Sequence, residues 1–151
     1  MIYIGADHRG FELKEDLKRR LTADGIEVKD MGNQKLDPLD DYVDYAKAVA
    51  DQVVKDPKSK GVLICGSGVG VDMAANKIPG VRSCLVFDEK RASQSREHED
   101  ANIVCLASDV LISEDAYSIV KAFINTSFTG EERHVRRLNK LKALEQAQVK
   151  Q

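Results

Sequence analysis

One stretch of the sequence, from Gly61 to Gly80, limits most strongly what the chain can fold into. It opens with a short apolar run at 62–65, which is typical of a strand buried on both faces. The run leads directly into a glycine-rich segment at 66–70, and a helix-like segment at 71–77 follows before Pro79 and Gly80 end it. A strand, a turn and a helix in this order are typical of an α/β protein with a parallel sheet.

The glycine-rich segment predicts a site for negative charge. Backbone N–H groups in such a turn point outward, and the positive end of the following helix lies behind them. We therefore expect the turn to hold a phosphate, or the oxyanion of a reaction intermediate. Cys65 stands at the edge of the turn, where a helix terminus favours the thiolate over the thiol. Anion binding and a base or nucleophile are thus predicted side by side.

The rest of the chain continues the alternation of strands and helices. Strands are predicted at 1–6, 26–28, 62–65, 81–87 and 101–106, and helices at 11–23, 42–55, 71–77, 89–97 and 113–125, with a charged C-terminal helix from about 130. Asp88 is placed to cap the fourth helix, and Thr129 to Glu132 has the form of a capping box for the last. Without a repeat or a linker, the pattern predicts one domain, residues 1–151, with helices on both faces of a five-stranded parallel sheet.

Charge and composition argue against several classes of protein. The net charge is −2 over 151 residues, whereas general nucleic-acid binding needs a basic face. No apolar run approaches the roughly 20 residues that cross a bilayer, and Met1 leads into a strand rather than a signal peptide. We therefore expect a cytoplasmic protein with neither a membrane nor a nucleic acid as partner. Three cysteines are too few, and odd in number, for a disulfide framework, so two of them are expected to be inert core residues.

The carboxyl ends of the predicted strands suggest where a ligand binds, because ligands of open α/β sheets lie at that edge. This rule brings together Asp7 and His8 after strand one, the segment 65–67 after strand three, and Asp88 after strand four. His98 precedes strand five and so belongs to the opposite edge. We expect His98 to join the site only from a neighbouring subunit.

Each candidate also has a purely structural interpretation. Asp7 with His8 can form a helix-capping turn, Cys65 can be a buried thiol, and His98 can be a solvated side chain. Arg133 and Arg137 usually mark a solvated helix face. Their spacing of four nevertheless places both on one side of the helix, where they can grip one phosphate.

The glycine-rich segment must also be compared with the dinucleotide-binding fingerprint. Gly66 and Gly68, followed by Asp88 about twenty residues later, partly match it. The third glycine falls at Gly70, however, whereas the fingerprint requires it at the position of Val71. The motif also follows the third strand, and the chain has no room for a second, substrate domain. A nucleotide-binding or sugar-phosphate-binding module without turnover is therefore the minor alternative.

Short motifs occur in order along nearly the whole chain. They are Asp7-His8, Asp41-Tyr42, Cys65-Gly66-Ser67-Gly68-Val69-Gly70, Ala74-Ala75-Asn76-Lys77, Gly80-Val81-Arg82, Ser95-Arg96-Glu97-His98, Asn102 and Arg133-His134-x-x-Arg137. Together they resemble the type B ribose-5-phosphate isomerase family, which includes the galactose-6-phosphate isomerase subunits. The block from Cys65 to Lys77 is specific, and the other motifs carry weight only in combination.

The resemblance implies a Rossmann-like three-layer fold and the interconversion of aldose and ketose phosphates without a metal or other cofactor. It also implies a homodimer, or a tetramer formed by two such dimers, whose active site is shared between subunits. By position, Cys65 would be the base that removes the proton beside the sugar carbonyl. Ser67 and the N–H groups of the loop would hold the enediolate; these loop residues are Gly66, Gly68, Val69 and Gly70.

The resemblance assigns roles to further residues. His98 from the partner subunit, helped by Asp7, would open the sugar ring. His8, Arg133 and Arg137 would hold the phosphate, and Tyr42 would line the pocket.

Two departures from the family pattern bear on the choice of sugar. Glu99, in a substrate-binding position near the sugar hydroxyls, stands where asparagine is commonest. Asp109 stands where ribose-phosphate members often carry an arginine directed at phosphate. An acid there would repel phosphate, and Arg9 beside His8 could replace the lost positive charge. The resemblance therefore leaves open ribose 5-phosphate, galactose or allose 6-phosphate, and a tetrulose phosphate.

Overall fold

Strands and helices alternate along the computed structural model, which describes residues 1–150. The five strands are β1 (Ile2–Ala6), β2 (Val28–Asp30), β3 (Lys60–Cys65), β4 (Ser83–Leu85) and β5 (Ile103–Ala107). The six helices are α1 (Phe11–Ala23), α2 (Tyr42–Lys55), α3 (Val69–Ala75), α4 (Glu89–Glu99), α5 (Ser113–Asn125) and α6 (Glu132–Val149). The predicted five strands and the C-terminal helix are confirmed.

The strands form one parallel sheet in the order β2-β1-β3-β5-β4. The register of β1 on β3 runs from Ile2 opposite Lys60 to Ala6 opposite Ile64, and Cys65 pairs with Ala107 of β5. The three interior strands, β1, β3 and β5, are almost entirely buried, as strands covered on both faces should be. Their carboxyl ends therefore meet in the middle of one sheet edge.

Helices cover both faces of the sheet, which confirms the three-layer prediction. In β3, the side chains of Val62 and Ile64 enter a core shared with α1, α4 and α5. Leu63 and Cys65 alternate with them and enter a second core, under α2 and α3. The thiol of Cys65 therefore lies on the α2–α3 side of the sheet.

Most helix boundaries agree with the sequence pattern, and the short elements account for the differences. The predicted bounds of α1, α2 and α5 are confirmed. α3 begins two residues earlier than predicted because Gly68, at φ +74°, caps it and accepts a bond from the N–H of Asp72. β2 lies two residues later because the N–H of Ile26 still bonds to Leu21 at the end of α1.

The predicted capping box at the start of α6 is wrong. The N-cap is Glu131, and the hydroxyl of Thr129 instead donates to the carbonyl of Glu97 at 3.0 Å. The same hydroxyl is hydrogen-bonded to Nδ1 of His134 at 2.9 Å. Thr129 thus connects the start of α6 to α4.

In residues 1–150, none of the helices combines the length and the apolar character that a bilayer crossing requires.

Candidate active site

Three loops meet where the interior strands end. After β1, the N–H of Asp7 donates to the carbonyl of Ile64 on β3. After β5, the N–H groups of Ser108 and Asp109 donate to the carbonyls of Cys65 and Gly66, each at 3.0 Å. These backbone bonds fix the loop after β3 between its two neighbours. They make the loops one continuous surface at the edge where the strand-end rule placed a ligand.

The loop after β3 turns sharply beside the thiol of Cys65. Gly68 adopts the left-handed conformation, and a Cβ on it would lie 2.4 Å from Cδ1 of Leu85, so the turn requires glycine. The N–H of Gly68 donates to Sγ of Cys65 at 3.2 Å, and the N–H of Val69 donates to the hydroxyl of Ser67 at 3.2 Å. Two of the N–H groups expected to face a ligand are therefore already used within the loop.

Other N–H groups at this loop remain available to a ligand. Within residues 1–150, those of Gly70 and Val71 make no hydrogen bond, as expected for the first turn of a helix. They lie at the positive end of α3, next to the exposed side chain of Ser67. This arrangement can stabilise an oxyanion that forms beside the thiol.

Cys65 differs from the other two cysteines in what its sulfur contacts. Its side chain is buried, with the residue 4% exposed, and the sulfur accepts an N–H at the mouth of the loop. Burial raises the pKa of the Cys84 thiol to about 11, and burial raises that of Cys105 well above its ordinary value. Cys84 and Cys105 are thus held as neutral thiols, in agreement with the expectation of two inert core cysteines.

Two side chains pack directly on glycines of the loop. The ring of Tyr42 lies against Gly70, where a Cβ would be 2.8 Å from the ring, and the guanidinium of Arg9 lies over Gly66 at a similar distance. Arg9 also donates to Asp109, with Nη2 and Oδ1 separated by 2.6 Å. The positive charge of Arg9 is therefore at the loop, but Asp109 neutralises it.

Asp7 and His8 are both at this edge and make different contacts. Oδ1 of the buried Asp7 accepts the N–H groups of Arg9 and Gly10, at 3.0 and 3.1 Å. Asp7 thus holds the turn before α1 and does not cap the helix itself, whose N-cap is Gly10. His8 is bonded through both its backbone N–H and its ring Nδ1 to Asp40.

Sequence reasoning missed two residues of this edge, Ser108 and Asp40. The hydroxyl of Ser108 bridges the carbonyls of Arg9 and Cys65, at 2.8 and 3.2 Å. Ser108 directly follows β5, so the strand-end rule, extended to the fifth strand, identifies it. Asp40 lies in the loop before α2, 32 residues from His8, and no sequence pattern pairs the two.

The single chain does not bring His98 to the thiol. His98 lies in the last turn of α4, which covers the face of the sheet opposite to Cys65. Its ring is 4.4 Å from the ring of His134, centroid to centroid. His98 and Glu99 line a cavity of about 530 Å³ along α4, together with Asp88, whose carboxylate caps that helix at the N–H of Arg91.

Two of the three arginines of α6, Arg133 and Arg137, also lie away from the loop. Arg133 and Arg137 are exposed, and Nε of Arg133 pairs with Glu131 at 2.9 Å. A cavity of about 650 Å³ lies between α6 and residues 80–83, but neither these two arginines nor Cys65 is among the residues that line it.

Among residues 1–150, no three side chains of His, Cys, Asp or Glu are grouped as a metal site would need.

Comparison with known proteins decides the family. The model of the ribose/galactose isomerase family matches residues 2–141. The chain belongs to this family.

Relatives in the ribose/galactose isomerase family match over almost their whole length. A probable ribose-5-phosphate isomerase B of Mycoplasma pneumoniae is 46% identical over 144 residues, which cover 95% of this chain and 94% of the relative. The ribose-5-phosphate isomerase B of Mycobacterium tuberculosis is 38% identical over 138 residues, covering 91% and 85%. The chain thus matches these relatives over most of its length and most of theirs.

A solved structure from the ribose/galactose isomerase family has the same fold. It is the ribose-5-phosphate isomerase B of Mycoplasma genitalium with bound ribulose 5-phosphate, 42% identical, with a TM-score of 0.92. The match covers 96% of this chain and 95% of that one. The Rossmann-like architecture implied by the sequence motifs is therefore confirmed.

Proposed function

We propose that this chain is an aldose–ketose isomerase that interconverts ribose 5-phosphate and ribulose 5-phosphate. One observation carries the proposal: Sγ of Cys65 lies 3.2 Å from the N–H of Gly68, in a loop where, among residues 1–150, the N–H groups of Gly70 and Val71 are free. A base and a set of oxyanion donors are therefore adjacent. The relatives from Mycoplasma and Mycobacterium, by their names, support ribose 5-phosphate as the substrate.

In the proposed reaction, the thiolate of Cys65 removes the proton from C2 of the open-chain aldose. The electron pair of that C–H bond forms the C1–C2 double bond, and the carbonyl pair moves to O1, which gives an enediolate. The thiol then returns the proton to C1, while O2 gives up its proton and O1 takes one, so that O2 becomes the ketone oxygen. A positioned base of this kind typically contributes a factor of about 10² to 10⁴.

Ser67 and the loop N–H groups stabilise the enediolate in this proposal. The segment expected to supply them comprises Gly66, Gly68, Val69 and Gly70. The N–H groups of Gly68 and Val69 bond to Sγ of Cys65 and the hydroxyl of Ser67, and they must leave these partners to reach the oxyanion. Charge appears on oxygen only as the proton leaves carbon, so donors fixed in advance bind the transition state better than the substrate. One such donor is typically worth about 3 kcal/mol.

A second copy of the chain completes the site. Within one chain, Cys65 and His98 lie on opposite faces of the sheet, so the ring-opening role of His98, with Asp7, falls to His98 of the partner subunit. Exposed apolar side chains on α6, among them Val135, Leu141 and Leu144, favour an interface on this helix. Such a homodimer, alone or doubled into a tetramer, also accounts for arginines that lie away from the thiol of their own chain.

The remaining contacts concern the phosphate and the sugar hydroxyls. In this proposal, the phosphate is held by His8, Arg133 and Arg137. Tyr42 lines the pocket against Gly70, and Glu99 faces the sugar hydroxyls.

The proposed place of action is the cytoplasm, in the pentose phosphate part of carbohydrate metabolism. The pairing of Arg9 with Asp109 favours, as second candidate, the same chemistry on another sugar phosphate, such as galactose or allose 6-phosphate or a tetrulose phosphate.

Proton exchange in deuterated water tests the proposal. We expect the wild-type protein to convert ribose 5-phosphate to the ketose and to label the carbon beside the carbonyl, as seen by NMR. Cys65→Ala should reduce kcat about 10³-fold, since it removes the base. Cys84→Ala is the matched control and should retain wild-type kcat, because that thiol lies outside the loop.

The same experiment can reject the proposal. A Cys65→Ala variant as fast as the wild type would exclude the thiol as the base. A wild-type protein that labels no member of a panel of aldose phosphates would exclude the isomerase itself. Faster conversion of a six-carbon or four-carbon substrate would favour the second candidate.

A further inference from the structure

His8 is held by a carboxylate from a distant part of the chain. Oδ1 of Asp40 accepts both the backbone N–H of His8, at 2.9 Å, and the ring Nδ1, at 2.8 Å. The side chain of Asp40 is only 5% exposed, whereas that of His8 is 33% exposed. One buried carboxylate oxygen therefore fixes the main chain and the ring of His8 together.

These bonds determine which ring nitrogen is left for a ligand. A carboxylate oxygen can only accept, so Nδ1 of His8 carries a proton. Within residues 1–150, Nε2 makes no hydrogen bond. When the ring is doubly protonated, Nε2–H is a donor for an anion, and the charge of Asp40 balances the imidazolium.

Asp40 is itself held by a hydrogen bond on the side away from His8. Its second oxygen, Oδ2, accepts Nδ2 of Asn33 at 2.7 Å. The carbonyl of Asn33 accepts Nζ of Lys14 at 2.8 Å, and Lys14 is completely buried on α1. A series of hydrogen bonds thus runs from a buried ammonium, through Asn33 and Asp40, to the partly exposed ring of His8. The position of Asp40 is therefore fixed, although it lies in a loop.

We propose that Asp40 is a positioning residue that holds His8 for the phosphate of the substrate. The inference rests on the proposed function, because it concerns how that site binds its sugar phosphate. Without Asp40, the ring of His8 would rotate freely and would lose conformational entropy on binding. A ring that is fixed in advance avoids this loss, so Asp40 favours substrate binding without touching the substrate.

Steady-state kinetics with ribose 5-phosphate, together with inhibition by inorganic phosphate, tests this role. Asp40→Ala should raise KM and the inhibition constant of phosphate about tenfold, by analogy with the loss of metal affinity when the partner that orients a metal-ligating histidine is removed. kcat should change less than about threefold, because the thiol and the oxyanion donors are untouched. Asp44→Ala removes the same charge from a nearby exposed position and should leave both constants unchanged.

Combination with His8→Ala separates positioning from a general structural role. If Asp40 acts through His8, adding Asp40→Ala to His8→Ala should raise KM by less than about twofold. Asp40→Asn keeps an oxygen acceptor for His8 and should recover most of the loss. Its new N–H group can pair with Oδ1 of Asn33, which has no partner, after a rotation of that amide. Additive effects of the two alanine substitutions, or a fall in kcat at constant KM, would overturn the inference.

Two further measurements keep the inference testable. Nitrogen-15 NMR of the wild-type protein should show the Nδ1–H tautomer in the neutral ring of His8, and an unprotonated Nδ1 would overturn the inference even if Asp40→Ala does not fold. Calorimetry with inorganic phosphate needs no turnover. A wild-type protein that binds phosphate about tenfold more tightly than Asp40→Ala but isomerises no sugar would reject only the proposed function. Equal phosphate affinities in an active enzyme would reject only the role of Asp40.

Discussion

Arg9 and Asp109 form an ion pair at the edge of the glycine loop. Sequence comparison predicts that Asp109 repels phosphate and that Arg9 replaces the missing positive charge. In the structure, the two side chains are 2.6 Å apart and partly exposed, at 57% and 40%. Arg9 is therefore present at the expected place, but its charge is largely balanced. The pair leaves the charge at this edge of the loop close to zero. Asp109 alone would make it negative, and Arg9 alone would make it positive.

This pairing predicts opposite effects for its two members. Asp109→Ala should lower KM for ribose 5-phosphate about three- to fivefold, because Arg9 is then free to attract the phosphate. Arg9→Ala should raise KM by a similar factor, since it leaves the acid unbalanced; exposed pairs are typically worth less than about 1 kcal/mol.

The double variant, Arg9→Ala with Asp109→Ala, serves as the control. It should have a KM close to that of the wild type, and all differences should shrink at high salt. Equal increases of KM in both single variants would show that the pair acts by holding the loop rather than by charge.

The connection between α1 and β2 contains an unusual buried charge. Nζ of Lys14, with no exposed surface, contacts Oδ2 of Asp30 at 2.7 Å, and Nζ of Lys18 contacts the same oxygen at 2.5 Å. Burial opposes the ionised form of Asp30, but the hydrogen bonds from Lys14 and Lys18 outweigh it and hold its pKa below the ordinary value of 3.8. The ionised Asp30 therefore stabilises the contact between this helix and this strand.

This lowered pKa predicts a pH-dependent contribution to stability. A carboxylate whose folded pKa is depressed stabilises fully above its unfolded pKa, and the contribution is lost as the pH falls through the folded pKa. Asp30→Asn should therefore reduce the free energy of unfolding by about 3 kcal/mol at pH 7, because Lys14 loses a buried partner. The difference from the wild type should shrink below pH 3.8, where Asp30 itself becomes protonated.

Urea unfolding across this pH range measures the effect. Asp51→Asn is the control, since it removes an exposed partner of Lys47 on α2 and should cost less than about 1 kcal/mol. A difference between Asp30→Asn and the wild type that does not change with pH would exclude the ion pairs as its cause.

Periodicity predicted the long elements and failed at the short ones. α2 and α5 carry apolar stripes that pack on the sheet, so their limits could be predicted from the sequence. The three-residue β4 is shorter than its apolar run, because this edge strand pairs only with β5. At α6, the capping motif was misleading because Thr129 bonds to another helix, a tertiary contact that no local pattern contains.

At the scale of the whole molecule, one chain separates the groups that the proposed chemistry needs. The loop with Cys65 lies at the carboxyl edge of the sheet, whereas His98 lies at the far end of α4, beside α6. The sequence predicted this separation, since His98 precedes the fifth strand. It could not predict the bond between His8 and Asp40, because 32 residues of chain separate the two and only the folded loop brings them together.

A shared site predicts complementation between two inactive variants. Cys65→Ala and His98→Ala should each lose most activity as pure proteins. If every site combines Cys65 of one chain with His98 of another, a mixed dimer has one intact site. Denaturing and refolding an equal mixture should then restore about one quarter of the wild-type rate.

Size-exclusion chromatography with light scattering gives the oligomeric state of each sample. A mixture of Cys65→Ala with Cys65→Ala/His98→Ala is the control and should stay inactive, because no combination of its chains restores the thiol. A dimer whose mixture of single variants gains no activity would place both groups of each site on the same chain.

The strand order has a further consequence for how the molecule tolerates change. β1, β3 and β5 each have a bonded neighbour on both sides, and all three loops that meet at Cys65 follow these strands. β2 and β4 form the margins of the sheet and are only three residues long. Local opening starts where backbone bonds are fewest and most accessible. β2 and β4 can therefore open locally or accept substitutions while the reacting atoms keep their spacing.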